Sequence, residues 1–475
     1  MSEAPRLVRT REIPAGGIVH FGPGAFFRAF IAPYTDEAMA ASGGDWGITA
    51  ISLKSRTALD QLVPQGCQYT AVERGADGDQ ARQIGAIRDI LLAPERQLDV
   101  IAALADPATR VVTLTVTEKG YCHDPLTGRL QADHPDIRHD IGNLDAPRTV
   151  IGFLVAGLQC RREAGQPPFT VLSCDNLPAN GTMLRGIVTE FAVMIDPQLA
   201  AWIEAEVSFP CCMVDRITPA TTKADLDRIA AAQGRLDLAA VVHEPFRQWV
   251  IEDDFPSGRP DWAVAGTQFV SDVERHELMK LRCLNGTHST LAYLGYLAGH
   301  ETISDAVANP AFSALCRRLW QNEILPTLPA PEGEDLPAYC ESLLDRYRNP
   351  AIRHRTWQIA MDGSQKLPQR LLGTINDCLA AGHVPHGLCL AVAGWMRYVG
   401  GTDEAGNPID VRDPIAEQLK AAANSADPVT SLLAIGSVFD RSLAGDDAFV
   451  ASVRAAHARL RDDGSAATVA AFIAE

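Results

Sequence analysis

The chain has 475 residues, 47% hydrophobic and 21% charged, enough apolar material for a large core and for two or three domains. Its net charge of −17, from 42 basic and 59 acidic side chains, excludes nucleic acid and an anionic membrane surface as natural partners. A small anionic substrate is still allowed, because a single pocket can be locally basic. Eleven cysteines contain no C-x-x-C pair, and the adjacent Cys211 and Cys212 make no plausible staple. Odd count and scattered spacing read as reduced core thiols of a cytoplasmic protein. The opening "MSEAPRLVRTREIPAGG" has no apolar h-region, and no apolar run reaches membrane-spanning length. A soluble intracellular protein, monomeric or a small homo-oligomer, is the expectation.

In chain order, "GIVHFGPG", "WGITAISL", "TRVVTLTV" and "FTVLSCDN" are short β-type runs bounded by Gly, Pro, Asp or Asn. They alternate with helical stretches, as βαβ units around a parallel sheet do. "VSFPCCMVDRITP" and "AAVVHEPFRQWVIEDDF" follow as further strands, expected as antiparallel additions to that sheet. Beyond about residue 271 the β signal ends. Segments such as "ISDAVANPAFSALCRRLWQNEIL" and "GLCLAVAGWMRYVGG" carry helical periodicity with short breaks. The expected architecture is an α/β domain of the Rossmann type with additional strands over 1–270, followed by an all-α domain over 271–475.

Within the first strand, Gly22-Pro23-Gly24 leads into a helix start. In a dinucleotide fold the first glycine makes the tight turn and the second lets the backbone approach a pyrophosphate, with the helix N-terminus facing the charge. Phe27 stands where a third glycine would be, so an ordinary strand-to-helix turn is an equal alternative. Arg28, one turn in, is either a phosphate partner or an exposed helical arginine. After "WGITAISL" an acidic residue would hold an adenosine ribose. Lys54, Ser55 and Arg56 occur instead, either a 2′-phosphate site or a solvated loop.

The stretch "HELMKLRCLNGTHST", 276–290, sets Lys280, Asn285 and His288 among leucines. At about 100° per residue, Asn285 lies roughly 140° and His288 roughly 80° round a helix from Lys280. All three can then look into one cavity, a costly arrangement unless it serves chemistry.

With the Gly-x-Gly-x-Phe-x-Arg start through Phe26 and Arg28, then "TVTEKGY", "SCDNLPANG", "MVDRITP" and "KLRCLNGTHS" in order, the chain resembles the long-chain mannitol dehydrogenase family. These are zinc-independent polyol and sugar-acid oxidoreductases. The stretch "TWQIAMDGSQKLPQRLL", 356–372, is most similar to the fructuronate reductase (mannonate oxidoreductase) branch. The resemblance implies a Rossmann-type domain, a helical domain and a nicotinamide coenzyme, NAD with NADP not excluded. It implies a catalytic base at Lys280, Asn176 and Asn285 on the reacting oxygen, a proton relay at Glu118, and Asp215, His288 and Lys366 on the substrate.

Each of these residues also has an ordinary structural reading. Lys280 could be a surface lysine, though desolvation readily makes lysine a base. Asn176 could close a strand-end turn, Asn285-Gly286 could break a helix, Glu118 could pair with Lys119, and His288 could be a satisfied core histidine. Gln358 stands where the polyol enzymes have an arginine, which favours a sugar acid. Arg397 and Arg348 are then candidate carboxylate partners, with helix-surface ion pairs as the alternative.

His276-Glu277 is not H-E-x-x-H, and the histidines show no ligand spacing, so no metal is expected. The expected reaction is D-mannonate to D-fructuronate and its reverse. A polyol dehydrogenase of the mannitol or arabinitol type is the same-class alternative, and a non-catalytic nucleotide-binding sensor the alternative of another class. A sensor has no need of a general base.

Overall fold

The structure is a computed structural model that describes residues 4–76, 78–124 and 127–475. The chain divides between Glu274 and Arg275 into two compact units. The first unit is built on a five-stranded sheet of order β5-β2-β1-β6-β7. Its strands are β1 (Gly16–Phe21), β2 (Gly47–Ser52), β5 (Ile87–Leu92), β6 (Val111–Leu114) and β7 (Thr170–Ser173). Every pairing in it is parallel. Counted alone, these strands run 3-2-1-4-5, the order of a dinucleotide-binding sheet, with its switch point between β1 and β6.

The sheet is covered on both faces, which is why its strands read as unbroken apolar runs. Alternate side chains go to opposite cores. Val19, Phe21, Val112 and Leu114 join Phe153, Leu154 and Val188 on one side. Ile18, Ile48, Val111 and Leu172 join Phe30, Tyr34 and Trp249 on the other.

The additional strands do not extend this sheet, contrary to the expectation from sequence. β8 (Cys212–Asp215), β10 (Gln248–Glu252) and β11 (Gln268–Val270) form one separate sheet, and β3 (Tyr69–Gly75), β4 (Gly78–Ile84) and β9 (Val241–His243) form another. The segment before β8 does touch the main sheet, where Val171 N donates to Ser208 O at 2.9 Å. Pro210 then offers no N–H, the ladder stops, and the chain leaves the edge. β4 was hidden in the sequence because its residues are mostly exposed and polar.

Among its described residues the second unit, Arg275–Glu475, has helices and only isolated bridges, Thr302 with Arg355 and Thr402 with Pro408. Its helices approach closely where glycine permits. A Cβ on Gly394 would sit 2.6 Å from Leu294 Cδ2, so the helices Thr287–Leu297 and His386–Tyr398 touch there. No helix among the described residues is long and apolar enough to cross a membrane. All eleven cysteines are free, and ten of them are buried.

Candidate functional site

In the first unit a pocket of about 470 Å³ opens at the carboxyl ends of β1, β2 and β6. Gly22, Pro23, Gly24 and Arg28 line it from the turn after β1, Ser52 to Ser55 from the end of β2, and Thr115 to Thr117, Lys119 and Gly120 from the segment after β6. Gly22 has φ +95°, and a Cβ there would collide with the Thr115 carbonyl. Only glycine makes this turn. A Cβ on Gly24 would meet nothing nearer than Gly22 O at 3.9 Å, so the protein's own packing does not require glycine there. The added methyl would enter the pocket instead.

The turn is braced from below by His20, which the sequence reading passed over. Its Nδ1 lies 2.8 Å from Thr113 Oγ1 and its Nε2 3.1 Å from Gly22 O. A carbonyl can only accept, so the proton sits on Nε2 and Nδ1 accepts from the threonine hydroxyl. Burial pulls this imidazole down to about 3.

Arg28 is neither an exposed helical arginine nor a free one. It is 9% exposed, donating to Ala239 O at 2.7 Å and to Gly24 O at 3.3 Å while still lining the pocket. The helix after the turn, Ala25–Ala29, is only five residues long. The Phe27 side chain is 0% exposed and stacks on His20 at 3.7 Å, while Phe26 stacks on Phe30 at 5.0 Å. Both phenylalanines pack the fold, and neither lines the pocket. Of the two cations after β2, Lys54 lines the pocket, whereas Arg56 is paired with Glu95 and Asp60. Arg28, Lys54 and Lys119 face no lining carboxylate, so this acidic chain reserves a basic pocket for an anion.

Glu118 is exposed in the short turn Glu118–Tyr121 and makes no ion pair with Lys119 among the described residues. The turn is bracketed by left-handed Thr117 at φ +65° and Cys122 at φ +51°. Asp175 holds it in place: its Oδ2 accepts from Val116 N at 2.9 Å and Tyr121 Oη at 2.7 Å, and its Oδ1 from Thr117 N at 3.1 Å. Burial raises the Asp175 carboxyl, and these donors oppose the rise. Asn176, its neighbour, is exposed in the turn after β7. Asp175 thus ties the "TEKGY" and "SCDN" segments together, a link visible in sequence only as an acid beside the asparagine. Asp215 is buried at the end of β8.

In the second unit one helix continues through Glu274–Met279, Lys280–Gly286 and Thr287–Leu297, and its middle section is π-helical. The α-helical angles expected for Lys280, Asn285 and His288 therefore do not apply. With i→i+5 bonding, a residue five places on returns toward the same side, which brings Asn285 back toward the Lys280 face. Carbonyls that leave the regular ladder find side-chain donors. Cys283 O accepts from Thr287 Oγ1 at 2.6 Å and Trp320 Nε1 at 3.0 Å, and Leu284 O from Tyr347 Oη at 3.0 Å. Lys280 is 8% exposed and is no surface lysine. Asn285-Gly286 does not break the helix; a Cβ on Gly286 would lie 2.9 Å from Arg370 O, so glycine serves close approach there.

His288 is buried, its ring 5.1 Å from Tyr347 and 4.6 Å from His354, and its Nε2 has no hydrogen-bond partner among the described residues. Burial pushes its imidazole well below the ordinary range, and His354, Arg370, Arg346 and Lys366 add to the effect. His354 is brought down to about 4 by burial and the same three cations. Lys366 donates to Met361 O at 2.6 Å, and burial followed by Arg370 lowers it to about 8. Three cations therefore act on the two histidines, and Asp362 and Asp413 oppose the lowering of Lys366.

The other expected substrate partners have different surroundings. Gln358 is exposed on its helix. Arg348 is paired with Asp345 at 3.1 Å, and Arg346, two residues earlier, is the arginine felt by the histidines. The charge of Arg397 acts on Glu404 and His457, and it is absent from the charges acting on His288. Among the described residues no group of three or more His, Cys, Asp or Glu side chains is arranged to hold a metal ion.

Comparison with known proteins agrees with this division. Residues 16–264 match the mannitol dehydrogenase Rossmann domain and residues 272–461 the mannitol dehydrogenase C-terminal domain. The chain is 48% identical over 465 residues to the D-mannonate oxidoreductase of Escherichia coli (strain K12), covering 96% of this chain and 95% of that protein. It is 41% identical to a mannitol 2-dehydrogenase of Aspergillus fumigatus, over 99% of this chain and 95% of that one. The solved Pseudomonas fluorescens mannitol 2-dehydrogenase, a ternary complex with NAD and D-mannitol, matches with a TM-score of 0.88 and 39% identity, over 100% of this chain and 98% of that one. The parallel dinucleotide-type sheet and the helical unit with its buried lysine coincide with matches to both family domains, over 16–264 and 272–461, and this chain belongs to the mannitol dehydrogenase family.

Proposed function

We propose that this chain is an NAD-dependent secondary-alcohol dehydrogenase of a sugar acid, interconverting D-mannonate and D-fructuronate. The observation that carries the substrate class is the recess around His288, where Lys366, Arg370 and Arg346 lower the basicity of two histidines. Cations held so close are costly to desolvate. A carboxylate would offset that cost, and an uncharged polyol would not.

The pocket in the first unit fits a dinucleotide. Gly22 and Gly24 keep the backbone open, and Arg28, Lys54 and Lys119 supply charge for phosphates. A nicotinamide coenzyme held there would supply hydride transfer to and from the alcohol carbon. Neutral Lys280 takes the hydroxyl proton in the oxidative direction. Asn285 and Asn176 donate amide N–H to the developing oxyanion without adding a competing acid, and Glu118 passes the proton to solvent. Asp215, His288 and Lys366 bind the rest of the substrate. Lys54 and Ser55, in place of an acid after β2, leave NADP a possible second coenzyme.

Reduced-nicotinamide absorbance with D-mannonate, other aldonates, mannitol, arabinitol and sorbitol, each with NAD and NADP, tests the reading. Mannonate should exceed mannitol at least about tenfold in kcat/KM, about 1.4 kcal/mol in transition-state binding, and NAD should be preferred. Equal or better turnover of mannitol would place the chain with the mannitol 2-dehydrogenases it also resembles.

A further inference from the structure

We infer that Arg370 grips the carboxylate of the substrate and sets the preference for an acid over a polyol; the inference rests on the sugar-acid reading above.

Arg370 lies in a second π-helical turn, Pro368–Leu372, inside the helical run that begins at Gly363 and ends at Ala380. Pro368 lacks the N–H that an α-helical interior needs, which favours the local change of ladder. The turn is anchored against the segment that carries Lys280. A Cβ on Gly286 would be 2.9 Å from Arg370 O, and Arg370 Nη1 donates to Ser289 Oγ at 3.1 Å. The guanidinium is thereby attached to the residue next to His288.

Its environment is unusual for an arginine of this chain. Nearby arginines have carboxylate partners: Arg282 has Asp377 at 2.6 Å, Arg317 has Glu341 at 2.8 Å and Arg348 has Asp345 at 3.1 Å. Among the described residues the only partner of the Arg370 side chain is the Ser289 hydroxyl. Five N–H donors and a full charge are held in a recess where burial already disfavours the charge. Yet the residue is only partly buried, so some of its surface is open to a ligand. His288 Nε2 and Tyr293 Oη, both without a hydrogen-bond partner among the described residues, belong to the same surroundings, since the Arg370 charge acts on each.

A carboxylate answers all of these features. The guanidinium fork matches its two oxygens, which a lysine ammonium cannot do. Its negative charge would add to that of Asp362 and Asp413 in opposing the repulsion between Arg370 and Lys366, and a sugar hydroxyl could serve the ring nitrogen of His288. A structural role alone would leave this half-buried charge with one hydroxyl as its hydrogen-bond partner among the described residues.

The test compares wild type, Arg370→Met and Arg370→Lys on D-mannonate and on mannitol with NAD, while coenzyme binding followed by fluorescence reports an intact fold. The acid-to-polyol ratio of kcat/KM should fall about 10–100-fold in Arg370→Met, the usual worth of hydrogen bonds to a charged group, mainly through KM. Arg370→Lys keeps the stem and charge but loses the fork, so its ratio should fall severalfold and lie between the other two. That variant decides the matter if the methionine variant fails to fold. An unchanged ratio in a folded variant, or equal losses on both substrates, makes Arg370 structural and overturns the inference while leaving the sugar-acid reading standing. A wild type that prefers mannitol overturns both.

Discussion

Lowering the pH from 7 to 5 should weaken the nucleotide-binding unit through His20, the imidazole beneath the Gly22 turn. Its folded-state value is depressed from 6.5 to about 3 by burial. The stability it contributes is therefore complete above 6.5 and is lost as the pH falls toward 3, because the unfolded chain takes up a proton that the native chain refuses. Between pH 7 and 5 the unfolded histidine goes from about one-quarter to nearly fully protonated, while the native one stays neutral. That difference amounts to about 2 kcal/mol, and to about 4 kcal/mol by pH 3. His243 is held at about 3 by burial and Arg216 and adds a similar loss. Together they remove a large part of the stability of an ordinary domain, about 5–15 kcal/mol. Ordinary carboxylates titrate at about 4, below this window. Urea unfolding at the two pH values, in wild type and in His20→Gln, measures the effect. The variant is expected to be weaker at pH 7 but to lose about 2 kcal/mol less on acidification. If both proteins lose the same amount, His20 is not neutral in the native state, and the proposed bracing of Gly22 O through Nε2–H is wrong.

Replacing Lys280 by Ala or Met should lower kcat about 10²–10⁴-fold, the usual cost of losing a general base, with coenzyme affinity retained in a fluorescence titration. Near-normal turnover across the pH range would make this lysine structural. Gly22→Ala and Gly24→Ala should separate folding from binding. The first forces a Cβ into the Thr115 carbonyl at φ +95° and should cost stability by more than the about 1–2 kcal/mol of left-handed strain alone, read from a thermal melt. The second should melt like wild type but bind NAD more weakly, and unchanged affinity would show that no coenzyme backbone approaches Gly24.

Residues buried on both sides of a sheet must be apolar throughout, so "GIVHF", "GITAIS" and "VVTL" declared the parallel strands, and the glycines after the first declared its turn. The loss of β-type runs near residue 270 likewise marked the change to helices. These features depend on neighbours in the chain, and sequence by itself determined them. The small sheets were less legible. β4 is solvent-facing and polar, and the departure before β8 follows from one proline at the edge of β7. At the candidate site, Lys280, Asn285 and His288 stood out by residue type and spacing and Lys366 through the family resemblance, but their setting did not. At the π turn Lys280–Gly286, Trp320 and Tyr347, distant in the chain, donate to the carbonyls of Cys283 and Leu284. The choice of Arg346 over Arg348, and the placement of Arg370 beside Ser289, likewise depend on which helix faces meet. Only the tertiary structure could decide these, because local periodicity marks which face is buried and says nothing of what is buried against it.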